Sequence, residues 1–234
     1  MKKILVIAAV VAVAIAAVFF FVSNPVGKLA KLAIEEFGPR MTQTDVKVKK
    51  IVISASDGRG SLSGLLIGNP KGFKTDYALK ADTIGIEIEP ASIAKDVIVI
   101  HNILIDAPSI IYEKGDNLSN FDAIQRNVEQ FAKTSQEADK NADKSGGKKM
   151  IIDTFIIRNA KVNYNGLLDL SLPDIELHNI GKKTGGATSA QVTKTIVAEL
   201  NGKLALAVAK AVVIGSVGGV ALGIGMGVKS LLGK

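Results

Sequence analysis

The stretch "VIHNILIDAPSIIYE" (residues 99–113) decides the fold, because it recurs without a gap as "IIDTFIIRNAKVNYN" (residues 151–165). Most apolar positions stay apolar between the two copies. The identical pairs are Ile100 with Ile152, Ile105 with Ile157, and Tyr112 with Tyr164. The first copy contains a strand, a break at Pro108 and a second strand, and the other copy repeats this pattern in the same register. We therefore predict one supersecondary unit that is used twice.

Strand patterns also occupy the sequence on either side of the repeat. "SDGRG" predicts a hairpin turn at Asp57-Gly58, and "TIGIEIEP" alternates strictly between apolar and polar residues. "LLDLSLPDIELHNIG" adds two short strands with one apolar face. No connection among the strands of residues 44–113 is long enough for a crossover helix, so we predict an antiparallel sheet.

Helical periodicity appears between the two copies of the repeat. "NLSNFDAIQRNVEQFAK" places Phe121, Ile124, Val128 and Phe131 on one side of a helix over residues 118–133. The charged segment at residues 134–149 has almost no apolar residues and predicts a flexible linker. We expect the helix to lie on the sheet.

The N-terminal segment predicts a membrane anchor over residues 1–23. Residues 4–22 carry no charge, and as a helix they would span about 28 Å, close to the hydrocarbon thickness of a bilayer. The run is longer than the apolar region of a cleaved signal peptide and ends in "FFFV", which favours an uncleaved anchor over the alternative of cleavage. Lys2 and Lys3 place the N-terminus in the cytoplasm, so the rest of the chain is exported. Residues 24–40 predict a stalk helix that begins at Pro25 and ends at Gly38-Pro39.

Composition narrows the chemistry that this chain can perform. The net charge of +7 favours anionic surfaces, but aromatic residues make up only 5% of the chain and Trp is absent, which argues against single-stranded nucleic acid and for phospholipid headgroups. The absence of cysteine excludes disulfides and thiolate chemistry. His101 and His178 lie on predicted strands without a neighbouring nucleophile or metal-ligand spacing. We therefore expect no enzymatic activity, catalytic residue, metal or cofactor.

The order of these parts resembles the AsmA-like family of membrane-anchored envelope proteins. The shared segments are the anchor, "GSLSGLLIGNPKGF" (residues 60–73), "APSIIYE" followed by "GDNLSNFDAI", a polar linker, "KKMIIDTFIIRNAKVNY" and "LSLPDIELHNIG". The resemblance covers most of residues 1–181. It implies a sheet curled into a trough with an apolar interior, related to the bridge-like lipid-transfer proteins. The family acts in envelope lipid transport or outer-membrane homeostasis, and this chain would be a short member.

The predicted fold class is α+β, mainly β, with an N-terminal transmembrane helix, a curled antiparallel trough at residues 41–181 and one or two covering helices. About nine strands would make a trough of about 43 Å. Such a sheet exposes more apolar surface than one short helix covers, and large exposed apolar patches mark binding sites. The candidate groove residues are Leu62, Leu66, Ile84, Ile86, Ile88, Ile103, Ile105, Ile157, Leu168, Leu170, Ile175 and Leu177. The candidate headgroup contacts are Lys71, Lys74 and Lys80.

The C-terminal region, residues 182–234, predicts helices with a glycine ladder. Gly215, Gly219, Gly223 and Gly227 fall four apart in a run that is uncharged over residues 211–228. This spacing allows helices to approach closely. Two alternatives remain: a second membrane helix, or a helix that lies as a lid against the trough or the membrane surface.

Together these patterns predict a periplasmic protein anchored in the bacterial inner membrane that holds lipid acyl chains in a β-groove. Its partners would be phospholipid or another acyl lipid, the membrane, and an envelope protein or a second copy of itself, and not nucleic acid. The alternative is a structural or assembly factor whose sheet is filled by its own helices and whose sheet edge or glycine ladder binds a partner protein. A weaker alternative is a β-sandwich that resembles late-embryogenesis-abundant domains.

Overall fold

The computed structural model describes residues 25–54, 56–141 and 148–217. The predicted anchor lies outside these ranges, as do three of the four ladder glycines, Gly219, Gly223 and Gly227. Within the described ranges, no helix is both long enough and apolar enough to span a bilayer.

One sheet and three helices form a mixed α+β fold. The strands are β1 (Val46–Lys47), β2 (Lys50–Ile53), β3 (Arg59–Ile67), β4 (Leu79–Ile88), β5 (Val97–Asp106), β6 (Ser109–Tyr112), β7 (Lys149–Arg158), β8 (Lys161–Tyr164), β9 (Leu168–Ser171) and β10 (Ile175–Ile180). The helices are α1 (Pro25–Thr42), α2 (Asn120–Asn141) and α3 (Ser189–Val217). The hairpin predicted at Asp57-Gly58 is confirmed, since β2 and β3 pair antiparallel on either side of it.

The ten strands make only six rows, because four of the rows consist of two strands in succession. The rows are β1 with β2, then β3, β4, β5 with β6, β7 with β8, and β9 with β10. At about 4.8 Å per row the sheet is about 29 Å wide. The trough length of about 43 Å, which was predicted across about nine adjacent strands, is therefore wrong. Successive strands within one row do not extend the sheet in that direction.

The two copies of the repeat lie side by side in parallel. Ile100 pairs with Ile152 and Ile105 with Ile157 across β5 and β7, and Tyr112 pairs with Tyr164 across β6 and β8. The structural register is thus the register of the sequence repeat. The prediction of an entirely antiparallel sheet is wrong, because the chain between the copies, which contains α2, supplies the long crossover that parallel strands need.

The sheet curls along a line of breaks that crosses its rows. Gly64 in β3, Ala107 between β5 and β6, and Asn159 between β7 and β8 all have a positive φ, of 63°, 49° and 54°. The pairing registers continue unchanged across these positions, so the breaks are kinks in the strands and not inserted residues. The result is a curled half-barrel. We call the end of the sheet at Gly60 and Ile86, which pair, the upper end, and the end at Ile67 and Leu79 the lower end.

All three helices pack on the sheet or on one another, and the inner face is filled. Val128 of α2 and Leu204 of α3 are completely buried in one core with Ile34 of α1 against it. The helix predicted as a stalk is therefore part of the folded body and packs on β1, β2 and α2. One or two covering helices were predicted, and the described part of the chain has three. Residues 134–141 of the predicted flexible linker continue α2 as helix.

Candidate functional site

Five of the twelve predicted groove residues belong to the closed core. They are Leu62, Ile84, Ile105, Ile157 and Ile175, each at most 7% exposed. Their partners include side chains of the helices. The trough is therefore not open along its length, and these five positions do not offer a free surface to a ligand.

Leu66 lies on the outer face of the sheet, so its assignment to the groove is wrong. Its pairing partners on the neighbouring strands are the exposed residues Lys47 and Lys80. Gly64, with its positive φ, shifts the alternation of β3 by one residue, so that Leu65 and Ile67 face the core instead. A strict two-residue alternation through Gly64 would put Leu66 on the same face as Leu62.

The remaining six groove candidates pack against the core and keep part of their surface exposed. They are Ile86, Ile88, Ile103, Leu168, Leu170 and Leu177. Three of them come together at the upper end of the sheet, where Ile86 of β4 pairs with Ile103 of β5 and Ile88 follows. Ile98 of β5 shares this environment. We call Ile86, Ile88, Ile98 and Ile103 the isoleucine mouth.

The direction of α1 places its N-terminus at the same end of the sheet as the isoleucine mouth. Glu35 Oε1 accepts a hydrogen bond from the Val48 backbone N–H (3.0 Å), and Lys31 Nζ donates to the Lys49 carbonyl (3.1 Å). The helix therefore runs antiparallel to the first row, with Pro25 toward Ile53. Ile53 pairs with Gly60, the upper-end residue of β3. The predicted anchor, residues 1–23, thus precedes the body at the end of the sheet where the isoleucine mouth lies.

The predicted headgroup lysines do not border this mouth. Lys71 and Lys74 are exposed on the loop that follows β3 at the lower end. Lys80 is exposed on the outer face, with its Nζ 3.8 Å from the centroid of the Tyr77 ring. The three cations are therefore separated from the partly exposed isoleucines by the length of the sheet.

At the lower end, three of the segments that carry the family resemblance meet in a hydrogen-bond network. Asn120, completely buried, donates to Asn69 Oδ1 and to the Ile111 carbonyl, both at 2.8 Å. Asn69 in turn donates to the Thr75 carbonyl at 2.7 Å. The Glu113 carboxylate accepts bonds from the Lys74 and Thr75 backbone N–H groups and from the Thr75 hydroxyl. These residues fix the loop after β3 to the start of α2.

The electrostatics of this network favour an ionised Glu113. Partial burial alone would raise its pKa, but the hydrogen bonds from Thr75 and Lys74 outweigh burial and lower the pKa below 4.5.

The loop geometry agrees with the sequence: β3 ends at Ile67 before Pro70, and Gly72 has a φ of +98°. We interpret the network as structural, because its hydrogen bonds connect the loop after β3 to the end of β6 and the start of α2.

The outer face carries a second polar cluster around His101. Its Nδ1 lies 2.9 Å from Asp153 Oδ2 and its Nε2 lies 3.4 Å from Glu89 Oε2. The hydrogen bond with Asp153, followed by that with Glu89, raises the pKa of His101 above 6.5. Lys182 Nζ approaches the other Asp153 oxygen at 4.0 Å. Neither this cluster nor any other in the described part of the chain gathers three or more residues able to hold a metal ion.

This geometry predicts a pH dependence of stability. Because the folded-state pKa of His101 is raised, its contribution is complete below the ordinary value of 6.5 and is lost as the pH rises through the folded-state value. We expect the difference in free energy of unfolding between the unchanged protein and His101→Gln to shrink from about pH 6 to pH 8. Urea titrations across that range measure it. When both proteins also carry Asp153→Asn, the same difference should vary less with pH. A difference that stays constant with pH while Asp153 is present would contradict the role given to His101.

Comparisons with known proteins do not add to this geometry. No family model matches the chain, and neither a curated protein nor a solved structure matches it. The function is therefore argued from the fold and from the isoleucine mouth.

Of the four glycines of the predicted ladder, Gly215 is the one within the described residues. It lies in α3, near the end of that helix at Val217.

Proposed function

We propose that this chain is a non-enzymatic, membrane-anchored protein of AsmA-like type that takes up lipid acyl chains between its curled sheet and its helices, in the bacterial envelope. The observation that carries the proposal is the isoleucine mouth at the end where the predicted anchor joins the body. The closed core shortens the proposed site from a full trough to this one end.

The chemistry of the mouth suits an acyl chain. Ile86, Ile88 and Ile103 are aliphatic, partly exposed and continuous with the core. Acyl chains bind through burial alone, at about 0.8 kcal/mol per CH₂ group, and need no directed polar contact. A lipid that leaves the bilayer next to the anchor would meet this apolar surface before any other part of the inner face.

A second candidate function is a structural or assembly factor of the envelope that binds a partner protein. The filled inner face favours it, because Val128, Leu204 and the other helix residues already occupy the space that a continuous lipid trough would need. Lipid uptake separates the two candidates, since the assembly factor requires none.

Uptake of a fluorescent phospholipid by the full chain tests the proposal. We expect Ile103→Asn to weaken uptake by at least about tenfold, because a polar amide in the mouth costs more than about 1.4 kcal/mol when an acyl chain covers it. Leu66→Asn is the matched control, since it makes the same type of change on the outer face of the sheet, two rows away from Ile103. Both variants carry the same anchor, so lipid held by the anchor cancels.

Three results of this experiment decide between the candidates. Uptake lost in Ile103→Asn and kept in Leu66→Asn supports the mouth. Equal uptake by both variants overturns it. No uptake by the unchanged protein, together with no phospholipid in mass spectra of the purified chain, removes lipid binding and leaves the assembly factor.

A further inference from the structure

Helix α1 exposes an apolar face that no part of the described chain covers. Leu29, Leu32 and Phe37 are 67%, 64% and 47% exposed, and they lie on one side of the helix. The opposite side, with Ala30 and Ile34, packs on the core. Single exposed apolar side chains are common on protein surfaces, but here three large ones share one side of a helix, interrupted only by Glu36.

Basic side chains lie at both ends of this apolar face. Lys28 is exposed at the start of α1, and Arg40 lies near its end with its guanidinium carbon 5.9 Å from the Phe37 ring centroid. Glu36 lies on the same side of the helix and forms an ion pair with Arg40. The two cations therefore outnumber the one acid on this side of α1.

The sequence immediately before α1 indicates what covers this face. The uncharged apolar run of residues 4–22 ends three residues before α1 begins at Pro25. If that run is embedded in a bilayer, the first turns of α1 lie within a few ångströms of the lipid headgroups. An apolar helix face with a basic border is the pattern of a helix that lies in a membrane interface.

We infer that the exposed face of α1 lies in the interface of an anionic phospholipid bilayer, with Leu29, Leu32 and Phe37 below the headgroups and Lys28 and Arg40 against the phosphates. This inference rests on the anchor in the proposed function. It deepens that function by setting the orientation of the body: α1 lies along the membrane, and the isoleucine mouth lies near the bilayer surface.

The absence of Trp from the chain allows a direct test. Leu32→Trp places a single reporter on the α1 face, and Leu167→Trp places one on the turn between β8 and β9, where Leu167 is 87% exposed. The full chain is reconstituted into vesicles of phosphatidylethanolamine and phosphatidylglycerol, with or without brominated acyl chains. We expect the brominated lipids to quench the reporter at position 32 at least about threefold more than the reporter at position 167, with a blue-shifted emission at position 32 only.

Vesicle flotation separates failure of this inference from failure of the proposed function. Protein that does not float with vesicles removes the anchor and with it the inference. Protein that floats but shows equal quenching at both positions overturns the inference alone. A blue shift at position 32 without quenching also overturns it and indicates that a second copy or another protein covers the face.

Lys28 and Arg40 supply an independent check on the lipid charge. Substitution of both residues by Gln should reduce quenching of the position-32 reporter in vesicles that contain phosphatidylglycerol and leave it unchanged in vesicles of phosphatidylcholine. Quenching that is insensitive to the two substitutions in both lipids would overturn the role of the two cations.

Discussion

Replacement of Asn120 by alanine is expected to destabilise the protein by about 3 kcal/mol or more, because it leaves several buried groups without partners. The Asn120 side chain donates to Asn69 and to the Ile111 carbonyl, and its Oδ1 accepts from the backbone N–H groups of Glu113 and Phe121, both at 3.0 Å. Asn120 itself is completely buried, so water does not replace these bonds. Equilibrium unfolding in urea measures the loss.

Asn117→Ala is the matched control for this substitution. Asn117 lies three residues earlier, on the same loop, and is exposed. We expect its replacement to change the free energy of unfolding by less than about 0.5 kcal/mol. If Asn120→Ala were as mild as Asn117→Ala, the network at the lower end would not contribute to the stability of the fold.

Replacement of Gly58 by alanine is expected to cost about 3 to 4 kcal/mol and to weaken lipid uptake, because it combines backbone strain with a steric clash. A methyl group at Gly58 would lie 1.9 Å from the Ile88 carbonyl oxygen, and the φ of Gly58 is +69°. The backbone conformation alone costs about 1 to 2 kcal/mol for a residue other than glycine. The clash then forces the hairpin away from β4 and breaks the 2.9 Å bond from the Ile88 N–H to the Gly58 carbonyl. Urea unfolding and the fluorescent-lipid assay measure the two effects.

Gly72→Ala separates backbone strain from steric clash. Gly72 also has a positive φ, of +98°, but no atom lies within 4 Å of the position that a methyl group would take. We expect a loss of about 2 kcal/mol from strain and no change in lipid uptake, because Gly72 lies on the loop at the lower end. Equal losses in both variants would mean that the contact between the hairpin and Ile88 is unimportant.

The repeat shows how far sequence reasoning reaches for this fold. Its gapless alignment shows which residues of the two copies are equivalent, and the structure then makes equivalent residues such as Ile100 and Ile152 partners in the sheet. It does not fix the direction of the pairing. Direction depended on α2, whose apolar side is visible in the sequence while its role as a crossover is not.

The candidate site was predictable only in part for a related reason. Alternation correctly put Ile84, Ile86 and Ile88 on one face, since all three pack in or against the core, although the pairing of β4 with β5 shifts register between Glu87 and Ile88. The same rule failed at Leu66, because Gly64 adopts a left-handed conformation that shifts the alternation. Glycine tolerates this conformation without requiring it, so the kink could not be predicted from that residue alone.

The sequence by itself determined the strands, the hairpin at Asp57-Gly58, the apolar side of α2 and the register of the repeat, because each depends on neighbouring residues or on a pattern that is directly visible. The tertiary structure alone decided which apolar residues are covered. Burial depends on how α1, α2 and α3 pack on the sheet, and that packing joins residues far apart in the chain. This packing buries much of the predicted trough in a core and leaves the isoleucine mouth partly exposed at one end. It also places the predicted stalk helix against the body, with one side of that helix exposed.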